Sequence, residues 1–217
     1  MKSARDHILA RIRQFNGPRK TDLAAIDKAA AELLATPGET QPQFGTLSTR
    51  EKFVERATSA RLTATVDEVS GWKLGVKAAQ DYLSHNSLSN EIAMPPSAQL
   101  QALDWGETLV RHEITPNEPV SLSVADYGLA ETGTLVFTSR SDNPTLFHFL
   151  GLHHIAFVAG VTILDYIEDY WSEVRGRGNV QPRTINFITG TSGTADIEAQ
   201  NTRGAHGPRF LHIIIID

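Results

Sequence analysis

Three short stretches of this chain carry residue types that do chemistry. Glu131-Thr132-Gly133-Thr134 sets a carboxylate and two hydroxyls around a glycine. About sixty residues on, Thr191-Ser192-Gly193-Thr194 repeats the small, hydroxylated theme, with the carboxylates of Asp196 and Glu198 behind it. Then Arg203-Gly204-Ala205-His206-Gly207-Pro208-Arg209 places a histidine between glycines, just before the apolar run 211–216. Small residues let backbone N–H groups approach a ligand, and carboxylates give it something to bind or react with.

Each stretch has two readings. Glu131, where a loop enters a strand, suits a nucleophile or general base; equally, Gly133 supplies an unusual φ to a turn and Glu131 is solvated or paired with an arginine. Ser192, Gly193 and Thr194 follow a strand ending near 188 and precede an expected helix from 195. Such a turn exposes N–H groups to an anion, beyond the strand ends where open α/β sheets bind ligands. The alternative is a helix cap, with Asp196 answering the dipole. His206 is an acid, a base, an oxyanion donor or a hydrogen-bonded loop residue. Arg203 and Arg209 beside it suit a carboxylate or phosphate, or the surface. The candidates are therefore Glu131 and His206 for catalysis, and Thr132, Gly133, Thr134, Ser192, Gly193, Thr194, Asp196, Glu198 and Gly207 for a small anionic ligand, in one shared cleft. There is neither a phosphate-binding lysine loop nor a full dinucleotide fingerprint.

Other polar residues read as structure. His148, His153 and His154 lack metal-ligand spacing, and His153-His154 marks a turn into the strand 155–158. No metal site is expected. Ser121 and Ser123 have no histidine nearby in sequence to make a hydrolase triad. Tyr166, Tyr170 and Trp171 read as helix packing.

Composition narrows the field. The chain has 217 residues, 41% hydrophobic, with a formal net charge of −5, so it offers nucleic acid no broad basic field. It has no cysteine, which removes disulfides, a thiol nucleophile and a self-held iron–sulfur cluster. The opening residues are amphipathic rather than signal-like, and no apolar run approaches the roughly 18 residues of a membrane span. The expectation is a cytoplasmic protein.

Positioning those residues falls to the pattern of elements. Helical periodicity covers 3–15, 21–35 and 48–59, with a connector at 37–46. Strands are expected at 62–66, 120–124, 134–138, 155–158, 184–188 and 211–216, with helices at 77–84 and 161–174; 100–105 is ambiguous. The β-branched run 211–216 suits a strand covered on both faces. Alternating strands and helices predict an α/β domain over 61–217 with a mainly parallel sheet flanked by helices, residues 184–188 and 211–216 being interior, and a helical arm or accessory layer over 1–60.

On these motifs the chain resembles the lactate-utilisation protein C family, the LUD-domain proteins. The resemblance rests on the opening His7-Ile8-Leu9-Ala10-Arg11-Ile12-Arg13, on Ala125-Asp126-Tyr127 running into Glu131-Thr132-Gly133-Thr134-Leu135, and on Thr194-Ala195-Asp196-Ile197-Glu198 with His206-Gly207-Pro208-Arg209-Phe210-Leu211-His212. The loop 201–205 is more polar than the family pattern. The resemblance implies a NagB/RpiA/CoA-transferase-like fold. It also implies a non-cluster subunit of a system that oxidises L-lactate to pyruvate, with the iron–sulfur clusters in partner subunits and no cofactor on this chain. Two alternatives stay open: a stand-alone enzyme on a phosphorylated or acyl substrate, of the isomerase, CoA-transferase or cyclo-ligase type, and a regulatory module that senses a small carboxylate.

Overall fold

The computed structural model describes residues 3–16, 22–36, 38, 41–176, 182–195 and 201–217. The chain divides into two compact units, residues 1–41 and 42–217. The first holds α1 (Ala4–Asn16) and α2 (Leu23–Ala35). Asp22 caps α2, accepting from the Ala25 N–H at 3.2 Å. Ile8, Ile12 and Phe15 of α1 and Leu23, Ile26 and Leu33 of α2 are exposed.

The second unit opens with α3 (Thr49–Ala57), which on sequence grounds had been grouped with the arm. A capping box starts it: the Ser48 hydroxyl accepts from Glu51 N–H, and the Glu51 carboxylate accepts from Ser48 N–H at 2.8 Å. There follow β1 (Thr65–Val69), α4 (Trp72–His85), β2 (Glu91–Ala93), α5 (Ala98–Gln101), β3 (Leu109–Arg111), β4 (Glu118–Ala125), β5 (Tyr127–Leu129) and β6 (Thr134–Thr138). Then come β7 (Gly151–Ala159), β8 (Ile163–Leu164), α6 (Ile167–Gly176), β9 (Ile185–Thr189), β10 (Gly193–Ala195), β11 (Asn201–Arg203) and β12 (Phe210–Ile216).

Six strands form a sheet in the order β1-β12-β7-β4-β2-β3, every neighbouring pair parallel. Alternation along β12 explains its β-branched composition. Ile214 and Ile216 pack with Ile155, Phe157 and the helix side chains Val76, Leu83 and Leu100. Leu211, Ile213 and Ile215 pack with Phe53 of α3 and with Leu135 and Phe137 of β6. A strand buried on both faces has no polar side to offer, so every position is apolar or, at His212, held by a hydrogen bond.

A second sheet, β8-β5-β6-β9, covers that second face; only β5 with β8 is parallel, and β6 pairs antiparallel with both neighbours. Its outer side carries Tyr127, Leu129 and Val136 against Tyr170 of α6. The layers are thus α4 with α5, the parallel sheet, the second sheet with α3, and α6.

Four expectations change. Residues 184–188 form β9, but at the edge of the second sheet, where Phe187 is 37% exposed, and not as an interior strand of the parallel sheet. A short apolar run carries no information about which sheet it joins. The stretch 161–174 is β8 followed by α6 rather than one helix, and His153-His154 lie within β7 rather than in a turn before it. Residues 193–195 do not begin a helix: β10 pairs antiparallel with β11, Thr194 opposite Thr202. Asp196 and Glu198 lie outside the described residues.

Candidate functional site

Two glycines draw the candidate loops together. Gly133 has φ +66°, and a Cβ there would stand 2.7 Å from the Ala57 backbone nitrogen, so the loop between β5 and β6 is seated on the last turn of α3. Gly190 has φ +74°, and its Cβ would stand 2.7 Å from the Leu62 carbonyl oxygen; the next residue, Thr191, donates its N–H to that same carbonyl at 3.0 Å. Only glycine meets both the dihedral and the approach.

Between these contacts lies a cleft of about 650 Å³, lined by Arg56, Ser59, Arg61, Leu62, Glu131, Thr132, Thr189, Thr191 and Gly193. A row of hydroxyls forms one wall. Thr132 and Thr134 are joined at 2.6 Å, and Thr134 and Thr189 at 2.6 Å, across the paired ends of β6 and β9. A second hydroxyl pair, Thr63 with Thr191, sits at 2.9 Å, and the Arg203 guanidinium donates to Thr63 at 2.6 Å. The two cleft arginines supply positive charge that a carboxylate or phosphate can meet with paired N–H donors.

Glu131 is tied to α6. Its N–H donates to the Asp165 carbonyl at 2.9 Å, and its carboxylate accepts from Ile167 N–H at 3.4 Å. It therefore sits at the positive end of that helix. Glu131 thus has a backbone contact to α6 in place of the expected arginine partner, and it also lines the cleft.

Glu131, Thr132 and Gly193 share the cleft, with Thr134 buried behind them. Ser192 turns to a neighbouring loop. Its N–H donates to the Pro208 carbonyl at 2.8 Å, its carbonyl accepts from Gly204 N–H at 3.0 Å, and a Cβ on Gly207 would stand 3.4 Å from its own Cβ. Ser192, Gly207 and the exposed His206 thus belong to an adjoining surface and do not line the cleft. Gly133 is buried against α3, and Thr194 lies in the β10–β11 hairpin.

The position in the fold also differs from expectation. Leu62 and Thr63 lead into β1, Pro208 leads into β12, and Arg209 donates to the Leu152 carbonyl at the start of β7. These loops gather at the amino ends of the parallel strands, not the carboxyl ends.

Sequence reasoning missed Arg56, Ser59 and Arg61. Basic residues around a helix C-terminus read as partners of its dipole, and nothing local says that Gly133 docks there. It also missed a buried pair: Ser123 Oγ lies 2.7 Å from His154 Nε2, on neighbouring strands. Both side chains are fully buried, and burial first, then the neighbouring His148, lowers the His154 pKa to about 3. A neutral imidazole out of reach of substrate does not make a hydrolase. Among the described residues no group of three or more metal-ligating side chains is placed to hold an ion, and no helix is long and apolar enough to cross a membrane.

The family model for the LUD domain matches residues 104–216. Lactate utilization protein C of Geobacillus thermodenitrificans is 34% identical over 128 residues, 56% of this chain and 53% of that protein. Its namesake in Halalkalibacterium halodurans is 34% identical over 116 residues, 52% and 50% of the two chains. The chain thus spans about half the length of the curated relatives it matches. Among solved structures, a DUF162 family protein from Deinococcus radiodurans superposes with a TM-score of 0.57 at 21% identity, covering 79% of this chain and 99% of the other, which establishes the likeness of fold.

Proposed function

Because this chain belongs to the LUD-domain family, we propose that it serves lactate utilisation as a subunit without an iron–sulfur cluster of its own, holding a small carboxylate in the cleft of Arg56, Arg61 and Glu131. The observation that carries this reading is the make-up of that cleft: two guanidinium groups, a hydroxyl row and one carboxylate around about 650 Å³. The arginines hold the ligand's carboxylate. Thr132 and Thr191 hydrogen-bond to its other oxygens, and Glu131 accepts from a ligand hydroxyl, as a general base must. His206 stands on the adjoining loop as a second polar group able to hydrogen-bond nearby.

Oxidation of L-lactate to pyruvate releases two electrons and two protons, and an acceptor must take the electrons. A chain without cysteine has no thiolates to hold a cluster. Iron–sulfur partner subunits are what the family resemblance implies, and the cytoplasm is the proposed place of work. The names of the curated relatives support the lactate role.

A second reading draws on the cleft's size. At about 650 Å³ it lies in the range that holds larger ligands, roughly 300–1,000 Å³. A phosphorylated or acyl substrate, handled by a free-standing enzyme, would fill it better than lactate.

Purification under native conditions with iron analysis separates the two. The first reading expects cysteine-rich, iron-bearing proteins to co-purify, and lactate-dependent reduction of an artificial acceptor only in their presence. An isolated chain that carries iron or flavin, or that oxidises lactate alone, overturns it.

A further inference from the structure

A second crevice lies at the other end of the parallel sheet. From β2 the chain goes outward to β3 through α5, whose Leu100 packs on the α4 side. From β4 it goes the other way, to β7, through β5 and β6 on the opposite face. Neighbouring strands whose connections part in opposite directions leave a gap at their carboxyl ends, the place where open α/β sheets bind ligands. Here that gap is a cavity of about 270 Å³, with Pro95, Ser97 and Gln99 after β2, Val124 at the end of β4, and Arg140, Asp142 and Asn143 from the turn after β6.

The turn carries two side-chain donors beside this crevice. Arg140 and Asn143 bond to each other through their backbones, Asn143 N–H to Arg140 carbonyl at 3.1 Å and the reverse at 3.4 Å. The Arg140 guanidinium is held by Asp126 at 2.6 Å, by the Thr138 hydroxyl at 2.7 Å and by Asp142 at 3.3 Å. Asn143 is only 2% exposed, and its Nδ2 has no hydrogen-bond partner among the described residues.

The hydrogen bonds behind that amide agree with this orientation. Asn186 Nδ2 donates to His148 Nδ1 at 3.5 Å, which leaves the His148 proton on Nε2. Nε2 then donates to Asn143 Oδ1 at 3.2 Å, so the orphan is the donor end of the amide, not its oxygen. A buried, unpaired N–H group is costly and needs an acceptor.

We propose that this crevice is a binding site for a small ligand presenting an acyl oxygen, a carboxylate or a carboxamide, with Asn143 Nδ2 and the Arg140 guanidinium as its donors and His148 as the residue that positions Asn143. The positive charge of Arg140 is already matched by Asp126 and Asp142, so the neutral amide competes with the anion. The site is independent of the arginine cleft and stands or falls separately from the lactate reading.

The test is a titration of the full chain with acetate and, separately, acetamide, read on the side-chain amide resonances of Asn143. Saturable shifts at millimolar concentration with either probe support the site, and the stronger probe names the class. Asn143→Asp, which replaces the donor by an acceptor, should weaken that probe by about tenfold or more, while Thr132→Val in the other cleft leaves it unchanged. Resonances of Asn143 that do not move with either probe up to about 100 mM overturn the proposal, as does undiminished binding by folded Asn143→Asp. If that variant does not fold, the wild-type titration decides alone.

Discussion

Replacing Gly133 by alanine should damage this protein in a way that can be worked out from the contacts. The residue has φ +66°, where a Cβ costs about 1 kcal/mol, and the added methyl would meet the Ala57 nitrogen at 2.7 Å and the Arg56 carbonyl carbon at 3.0 Å. Those are backbone atoms of α3, which buries Phe53 in the core, so they retreat only by moving the helix. Overpacking of this kind costs about 1–3 kcal/mol, for a sum of about 2–4 kcal/mol. In a domain of this size each kcal/mol lowers Tm by roughly 2–4 °C, so the melting temperature should fall by about 5–15 °C. Gly45 provides the control: its φ is +65°, but nothing lies within 4 Å of its Cβ position. Gly45→Ala carries the dihedral cost alone, about 1 kcal/mol. Thermal melts of the two variants side by side isolate the steric part. If Gly133→Ala melts within about 2 °C of Gly45→Ala, the docking of this loop on α3 is not as described, and the cleft it helps to form loses its support.

Ile214→Asp should leave little folded protein in a soluble-expression and circular-dichroism assay, because an unpaired charge buried on a central strand costs several kcal/mol; a variant as stable as the wild type would place β12 wrongly. Acid should destabilise the fold through His148 and His154. Their folded pKa values are lowered from 6.5 to about 4 and about 3, chiefly by burial, so the unfolded chain takes up protons first. The stability they contribute is complete above pH 6.5 and drains away as pH falls toward 4. Denaturant midpoints measured from pH 7 to 4 should show that fall, reduced in a folded His148→Gln, and a midpoint independent of pH would refute it. Arg56→Ala combined with Arg61→Ala should weaken binding of L-lactate by about tenfold or more in calorimetry without lowering Tm appreciably. Unchanged affinity would remove the anion from that cleft.

What could be read from the residues followed the range of the forces involved. The run 211–216 announced a strand covered on both faces because each position must be apolar, and helical periodicity over 48–59 announced α3 through a reach of three to four residues. Ser123 and His154 stand 31 residues apart and meet only because β4 pairs with β7; no local signal reports it. The same holds for Arg56 beside Glu131. At Ala195, where a helix was expected to begin, local preference lost to pairing of β10 with β11. Gly133 and Gly190 were visible as glycines, but which backbone they approach is a property of the assembled sheets.

The place of β12 bears on how the chain is made. It lies between β1 and β7, so those two strands have no bond to each other and are joined only through a segment that leaves the ribosome more than fifty residues after β7 ends. Until then the nascent chain carries two unpaired parallel edges and an apolar face with a missing stave. Register is set last, across sequence separations that make closure slow. Such an intermediate is sticky during synthesis, so the yield of active protein should depend on translation rate and chaperone supply more than the stability of the finished fold suggests.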